Sequence, residues 1–234
     1  MFERAERVAE GWIVSNAWGH GMLLPVREPL DGVTISFGVL GTRTRRKRDK
    51  VYQATASMLA ALNRPLYLLD VRRSGTGGSG SWSPRELATT MPQPAGSPSP
   101  YCFLHLSCLA PSANLLDDSR AGRRATSWRD FRAAYLAELT EDALNVAQGF
   151  VESAASNGGL AIFLCAEAFR PEFDALPSAE QEHHYCHRFT LARCIAERLK
   201  AQHAGSTIQL LQLDVTDFVA AAERHYSPSA FIFP

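Results

Sequence analysis

The sequence predicts an α/β domain built on a mostly parallel sheet, and three observations carry that reading. The stretch "GVTISFGVLG" is β-branched and bounded by glycines, as a strand at the start of such a domain should be. The runs "PLYLLDV" and "LAIFLC" are apolar without interruption, as parallel strands covered on both faces are. Between such runs lie segments of helical periodicity, so the chain reads β-α-β-loop-β-α-β-α-β.

Residues 1–31 read as an N-terminal arm, a short helix around Phe2 and Val8 followed by irregular chain, and residues 32–234 as a single α/β domain. The first strand covers 33–39, flanked by Gly32, Gly38 and Gly41. The basic run "TRTRRKRDK" leads into a helix over about 49–62, with Val51, Ala54, Met58 and Leu62 on its apolar face. The second strand covers 66–71. Residues 73–100 are rich in Gly, Ser and Pro and too long for a passive connector, so they read as an ordered lid or a mobile loop. "YCFLHLSCL" is the third strand and "SANLLDDSRAGRRAT" a polar loop. One long helix follows, with Phe131, Tyr135 and Leu139 spaced by four and Ser127 as its N-cap, and Gly158-Gly159 stops it. "LAIFLC" is the fourth strand. A helix over about 186–202 buries Ala192, Ile195, Ala196 and Leu199; "TIQLLQLDV" is the fifth strand, and a short helix and "SAFIFP" end the chain.

Composition narrows the function. The 234 residues are 46% apolar, enough for a sizeable core, and carry 24 basic against 24 acidic side chains. The zero formal charge gives no global demand for a nucleic-acid or membrane partner. No apolar run reaches the roughly 18 residues of a spanning helix, and the charged start "MFERAERVAEGW" lacks a secretion-signal core. Five cysteines without framework spacing fit a reducing, cytoplasmic setting.

In open parallel sheets ligands bind beyond the carboxyl ends of the strands. Three such ends carry chemistry here: residues 38–48, Asp70-Val71-Arg72, and Cys165-Ala166-Glu167. The cluster Cys186-His187-Arg188 opens the helix returning from the fourth strand and belongs to the same rim. A thiol at a helix N-terminus beside His187 and Arg188 has its thiolate favoured, which makes Cys186 a candidate nucleophile; the alternative is a turn in which Arg188 binds Glu167 and Cys186 packs as a small apolar residue. Asp70 and Arg72 share one face of their strand, either as an ion pair closing the strand end or as ligand contacts. With Glu167 and Arg188 they would make two acids and two arginines around one cleft, suited to sugar hydroxyls and phosphate.

A metal reading draws on Cys165, Glu167, His183, His184, Cys186 and His187, but the C-x₂₋₄-C pair of structural zinc sites is missing, so no metal is assigned. The glycines do not form G-x-G-x-x-G, and no cofactor is assigned either. Arg43, Arg45, Arg46, Lys47 and Arg48 form either a solvated face or, just before a helix, a site for phosphate or a nucleic-acid backbone. His105 and Cys108 read as packed strand residues, and Trp128, Phe131 and Tyr135 as a core stripe.

Taken together, "LDVRRS", "SWRDFRAAYL", "LAIFLCAEA" and "HYCHRFTLARCIAERL" resemble the bacterial domain-of-unknown-function 488 (DUF488) family over about residues 34–202. The resemblance implies a Rossmann-like three-layer fold and a polar constellation of Asp70, Arg72, Cys165, Glu167, Cys186, His187 and Arg188. Two departures stand out: the long spacer 168–185 between the two cysteine motifs, and Ile-Ser-Phe-Gly where the family has Thr-Ile-Gly. The expectation is an enzyme acting on a nucleotide or nucleic acid by hydrolysis of a glycosidic or related bond. Asp70 or Glu167 would be base or nucleophile, Cys186 and His187 a second acid–base or nucleophilic pair, and Arg72 and Arg188 phosphate ligands. The alternatives are a nucleic-acid or nucleotide-binding module without catalysis, and thiol chemistry centred on Cys165 and Cys186.

Overall fold

A computed structural model describes residues 4–15, 21–26, 30–41, 48–73, 101–120, 128–165, 187–213 and 228–233. Three short strands, β1 (Arg4–Val8), β2 (Gly11–Ser15) and β3 (Gly21–Pro25), pair in order as an antiparallel sheet. This corrects the reading of residues 1–31 as a short helix and irregular chain. The run "ERAERVAE" consists of good helix formers apart from Val8, but pairing with β2 and packing on a later helix outweigh that weak local preference.

The main sheet contains β4 (Thr34–Gly41), β5 (Leu66–Asp70), β6 (Tyr101–His105), β7 (Leu160–Cys165), β8 (Thr207–Leu213) and β9 (Ser229–Phe233). Its order is β6-β5-β7-β4-β8-β9, with β9 antiparallel to β8 and every other pair parallel. The chain is therefore α/β with a mixed, mostly parallel six-stranded sheet.

Among the described residues the helices are α1 (Arg48–Ala61), α2 (Ala113–Arg120), α3 (Trp128–Glu138), α4 (Glu141–Ser156) and α5 (His187–Gln202), with a 3-10 turn at Ser107–Leu109. Three of these differ from the sequence reading, the first being the 3-10 turn, which holds Cys108 where the third strand was expected to run on to Leu109. The polar loop contains α2, whose first turn is capped by Ser112 through Leu115 N–H to Oγ at 3.1 Å. The single long helix is two, because the Thr140 hydroxyl accepts the Ala143 N–H at 3.2 Å and starts α4 afresh, with Glu141 and Asp142 at its positive end. Gly158, at φ 68°, and Gly159, where a Cβ would lie 2.8 Å from the Pro65 carbonyl oxygen, end α4 and turn the chain into β7.

Side-chain alternation divides the core by face. Leu66, Leu68, Ile162, Leu164 and Leu40 pack with Met58 and Leu59 of α1. Leu69, Val71, Phe163, Phe37 and Val39 pack with α3, α4 and α5 through Phe131, Tyr135, Phe150, Leu191 and Ile195. The connection leaving β4 runs towards β5 and the one leaving β7 runs towards β8, in opposite directions along the sheet. β4 and β7 are adjacent, with Gly41 in register with Cys165. The carboxyl ends of these two strands therefore form the topological switch of the sheet, where ligand crevices of α/β proteins lie.

The small N-terminal sheet is fastened to this body by the carboxylate of Glu152 on α4, which is fully buried. Its Oε2 accepts from Arg7 and, at 2.7 Å, from Trp12 Nε1; its Oε1 accepts from Gln148 Nε2 at 2.7 Å and faces His203 Nε2 at 3.2 Å. The Arg7 guanidinium also lies 5.3 Å from the centre of the Trp12 ring.

Candidate functional site

Cys165 is the last residue of β7 and His187 the first of α5, so the β7-to-α5 connection returns the imidazole to the strand end it left. The two side chains are 1% and 4% exposed. Cys165 Sγ lies 3.6 Å from both Nδ1 and Nε2 of His187, equidistant from the two and so on the axis of neither. The Val71 carbonyl oxygen lies 3.0 Å from Nε2. A carbonyl only accepts, so the proton sits on Nε2 and Nδ1 is left as the basic nitrogen. Tyr135 packs edge-to-face on the imidazole at 5.6 Å and is itself anchored by its hydroxyl, which donates to the Leu109 carbonyl at 2.6 Å.

Asp70 ends β5 next to β7, in register with Leu164 and with His105 of β6. By alternation Asp70, His105 and Leu164 share the α1 face, while Val71 and Cys165 share the opposite one. Both carboxylate oxygens of Asp70 bind Arg72: Oδ1 accepts Nε at 2.7 Å and the backbone N–H at 3.1 Å, and Oδ2 accepts Nη2 at 2.7 Å. The Arg72 carbonyl in turn accepts from His105 Nε2 at 2.6 Å. Arg188, the second residue of α5, is fully buried.

The structure thus brings Asp70, Arg72, Cys165 and His187 to one end of the sheet, with the ion pair on one face and the cysteine–histidine pair on the other. Glu167, Cys186, Arg43, Arg45, Arg46 and Lys47 lie outside the described residues, as do His183, His184, Ser127 and residues 74–100. Arg48 opens α1. Tyr135 and His105, read from the sequence as core and packed strand residues, make polar contacts that no spacing announces. Tyr135 does belong to the core stripe, stacked on Phe131 at 6.3 Å, and the same side chain supports His187.

Two further thiols, Cys102 and Cys194, are half-buried. Burial pushes both Cys102 and Cys194 up from the ordinary cysteine value. Among the described residues no group of three or more His, Cys, Asp or Glu converges as a metal site, and no helix is long and apolar enough to cross a membrane.

Fold and site together define an α/β domain with a histidine-contacted cysteine at the switch point of a mostly parallel sheet. Comparison with known protein families, curated proteins and solved structures gives no match for this chain.

Proposed function

We propose that the chain is a Rossmann-like three-layer enzyme of the DUF488 type, in which Cys165 is the nucleophile and His187 its general base. The observation that supports this is the contact of Cys165 with an imidazole whose Nε2 is tied to the Val71 carbonyl, which leaves Nδ1 to take the thiol proton. The loose 3.6 Å contact is of the kind that tightens when a substrate enters. In the reaction the thiol proton passes to Nδ1 and the thiolate attacks an electrophilic carbon of the substrate. The bond to the leaving group breaks, and the leaving group takes the proton from the imidazolium. Water then gives a proton back to Nδ1 while its oxygen displaces the sulfur, so the thiol is regenerated and the net reaction is hydrolysis. This reading is favoured over glycosidic-bond cleavage by Asp70, because both Asp70 oxygens are already held by Arg72. The basic segment of Arg43, Arg45, Arg46, Lys47 and Arg48 makes a nucleotide or nucleic acid the first substrate class to screen.

The test is site-resolved alkylation by iodoacetamide between about pH 5 and pH 9, read by mass spectrometry. Cys165 should react well below the pH at which an ordinary thiol ionises, and His187→Gln should remove that low-pH reactivity. Cys165 is more buried than Cys102 and Cys194, so what should set it apart is the imidazole contact, and those two thiols, pushed up by burial, should stay slow. Cys165 reacting no faster than Cys102, or equally fast in His187→Gln, overturns the assignment.

A further inference from the structure

We propose that Asp70, Arg72 and His105 form a backbone clamp that sets the tautomer of His187, so that all three are positioning residues for Cys165. The inference rests on the cysteine–histidine reading above and explains what the Asp-Val-Arg motif does in it. The Asp70 carboxylate accepts the Arg72 backbone N–H, an Asx-type turn that bends the chain out of β5 directly after Asp70. The guanidinium of Arg72 closes on the same carboxylate with two charge-assisted bonds, both 2.7 Å, and fixes the turn.

Three successive carbonyls are thereby presented to three donors. The Asp70 carbonyl accepts the Leu106 N–H at 2.8 Å, that of Val71 accepts His187 Nε2 at 3.0 Å, and that of Arg72 accepts His105 Nε2 at 2.6 Å. The Val71 N–H remains in the sheet, donating to the Leu164 carbonyl at 3.1 Å, one residue before Cys165. Two imidazoles, one from β6 and one from α5, therefore grip consecutive carbonyls of a segment that is also registered on the cysteine's own strand.

The chemical consequence concerns one proton. With the Val71 carbonyl in place, His187 carries its proton on Nε2 and presents a basic Nδ1. If the segment shifts, Nε2 loses its acceptor, the proton can move to Nδ1, and the imidazole can no longer receive the thiol proton there. His105 holds that segment from the α1 face, opposite the face of Cys165 and His187, so its influence travels through the backbone.

Two measurements test the clamp. In the wild-type chain, nitrogen chemical shifts from NMR should show both His105 and His187 as the Nε2–H tautomer near neutral pH; the Nδ1–H tautomer at either position overturns the proposal. His105→Leu should lower the low-pH alkylation rate of Cys165 about tenfold, the lower end of what loss of an outer partner costs a metal-bound imidazole, and should raise the Nδ1–H fraction of His187. His105→Gln keeps an N–H donor for the Arg72 carbonyl and should restore the rate to within about threefold of wild type. An unchanged pH profile and an unchanged His187 tautomer in His105→Leu sink the clamp while leaving the cysteine–histidine pair intact. Loss of reactivity in the wild type sinks the pair itself, so the two failures are separable.

Discussion

Replacing Glu152 by Gln tests what fastens the N-terminal sheet. The change keeps volume and shape but removes the charge and turns one acceptor oxygen into an NH₂ donor. Whichever way the amide points, one pair of donors faces it: Arg7 and Trp12 Nε1 on the one side, or Gln148 and His203 on the other. Hydrogen bonds to a charged group contribute about 1.5–3 kcal/mol each, and breaking a buried ion pair costs about 3–5 kcal/mol. Arg7 is 41% exposed and recovers part of its hydration, which holds the total near the lower half of that range, about 3–4 kcal/mol. At roughly 2–4 °C per kcal/mol for a chain of this size, the melting temperature should fall by about 6–16 °C. Calorimetry gives the shift, and hydrogen exchange should show the β1 and β2 amides losing protection before those of β4, β5 and β7. A loss under about 1 kcal/mol, or uniform loss of protection across both sheets, would refute the idea that Glu152 is the fastening point.

Gly149→Ala probes the same interface by packing. A helical glycine replaced by alanine gains about 0.5–1 kcal/mol, but the new Cβ would lie 2.9 Å from Trp12 Cγ and 3.1 Å from Trp12 Cβ, atoms close to the β2 backbone. Overpacking at about 1–3 kcal/mol wins, so urea melts should show a net loss; a more stable Gly149→Ala protein contradicts this. The carboxyl of Glu141 is held below the usual range by its hydrogen bond to Arg198, so its contribution is present above about pH 4.3 and disappears as pH falls through the folded value. Glu141→Gln should therefore cost about 0.2–0.5 kcal/mol at neutral pH, because the pair is largely exposed, and nothing in acid; an equal loss at both pH values would show that the cost is not ionic.

The strands of the main sheet were legible because burial on both faces writes itself as unbroken apolar runs. The first, second, fourth and fifth strand readings fall within two residues of β4, β5, β7 and β8, and α1 and α5 within one residue of their boundaries. The rim position of Asp70, Arg72, Cys165 and His187 was legible for the same reason: parallel connectivity sends strand ends and helix starts to one edge. What the sequence hid was set by partners distant along the chain. The Glu152 cluster joins residues 7, 12, 148, 152 and 203, and no local pattern links them. The helix break at Thr140 was masked by the regular spacing of Phe131, Tyr135 and Leu139, since a cap competes with periodicity only through a single hydrogen bond. β1 was masked by helix-forming residues whose strand conformation comes from β2 and α4.

The same geometry bears on which rim residue can act on a substrate. Asp70 is fully buried, and its two oxygens accept three hydrogen bonds from Arg72. To serve as a general base it would have to give up at least one charge-assisted bond inside the protein, at about 1.5–3 kcal/mol, and up to about 3–5 kcal/mol if the pair separates. At 1.36 kcal/mol per factor of ten, that is a penalty of roughly tenfold to several thousandfold before any chemistry begins. Cys165 contacts His187 with no ion pair to break between them. Its neighbour His187 holds the Val71 carbonyl through Nε2, a bond that protonation at Nδ1 does not require it to give up. On the proposed cysteine–histidine reading, the residue whose partners survive the proton transfer is the one suited to make it, and Asp70, held by Arg72, is better placed to hold the turn.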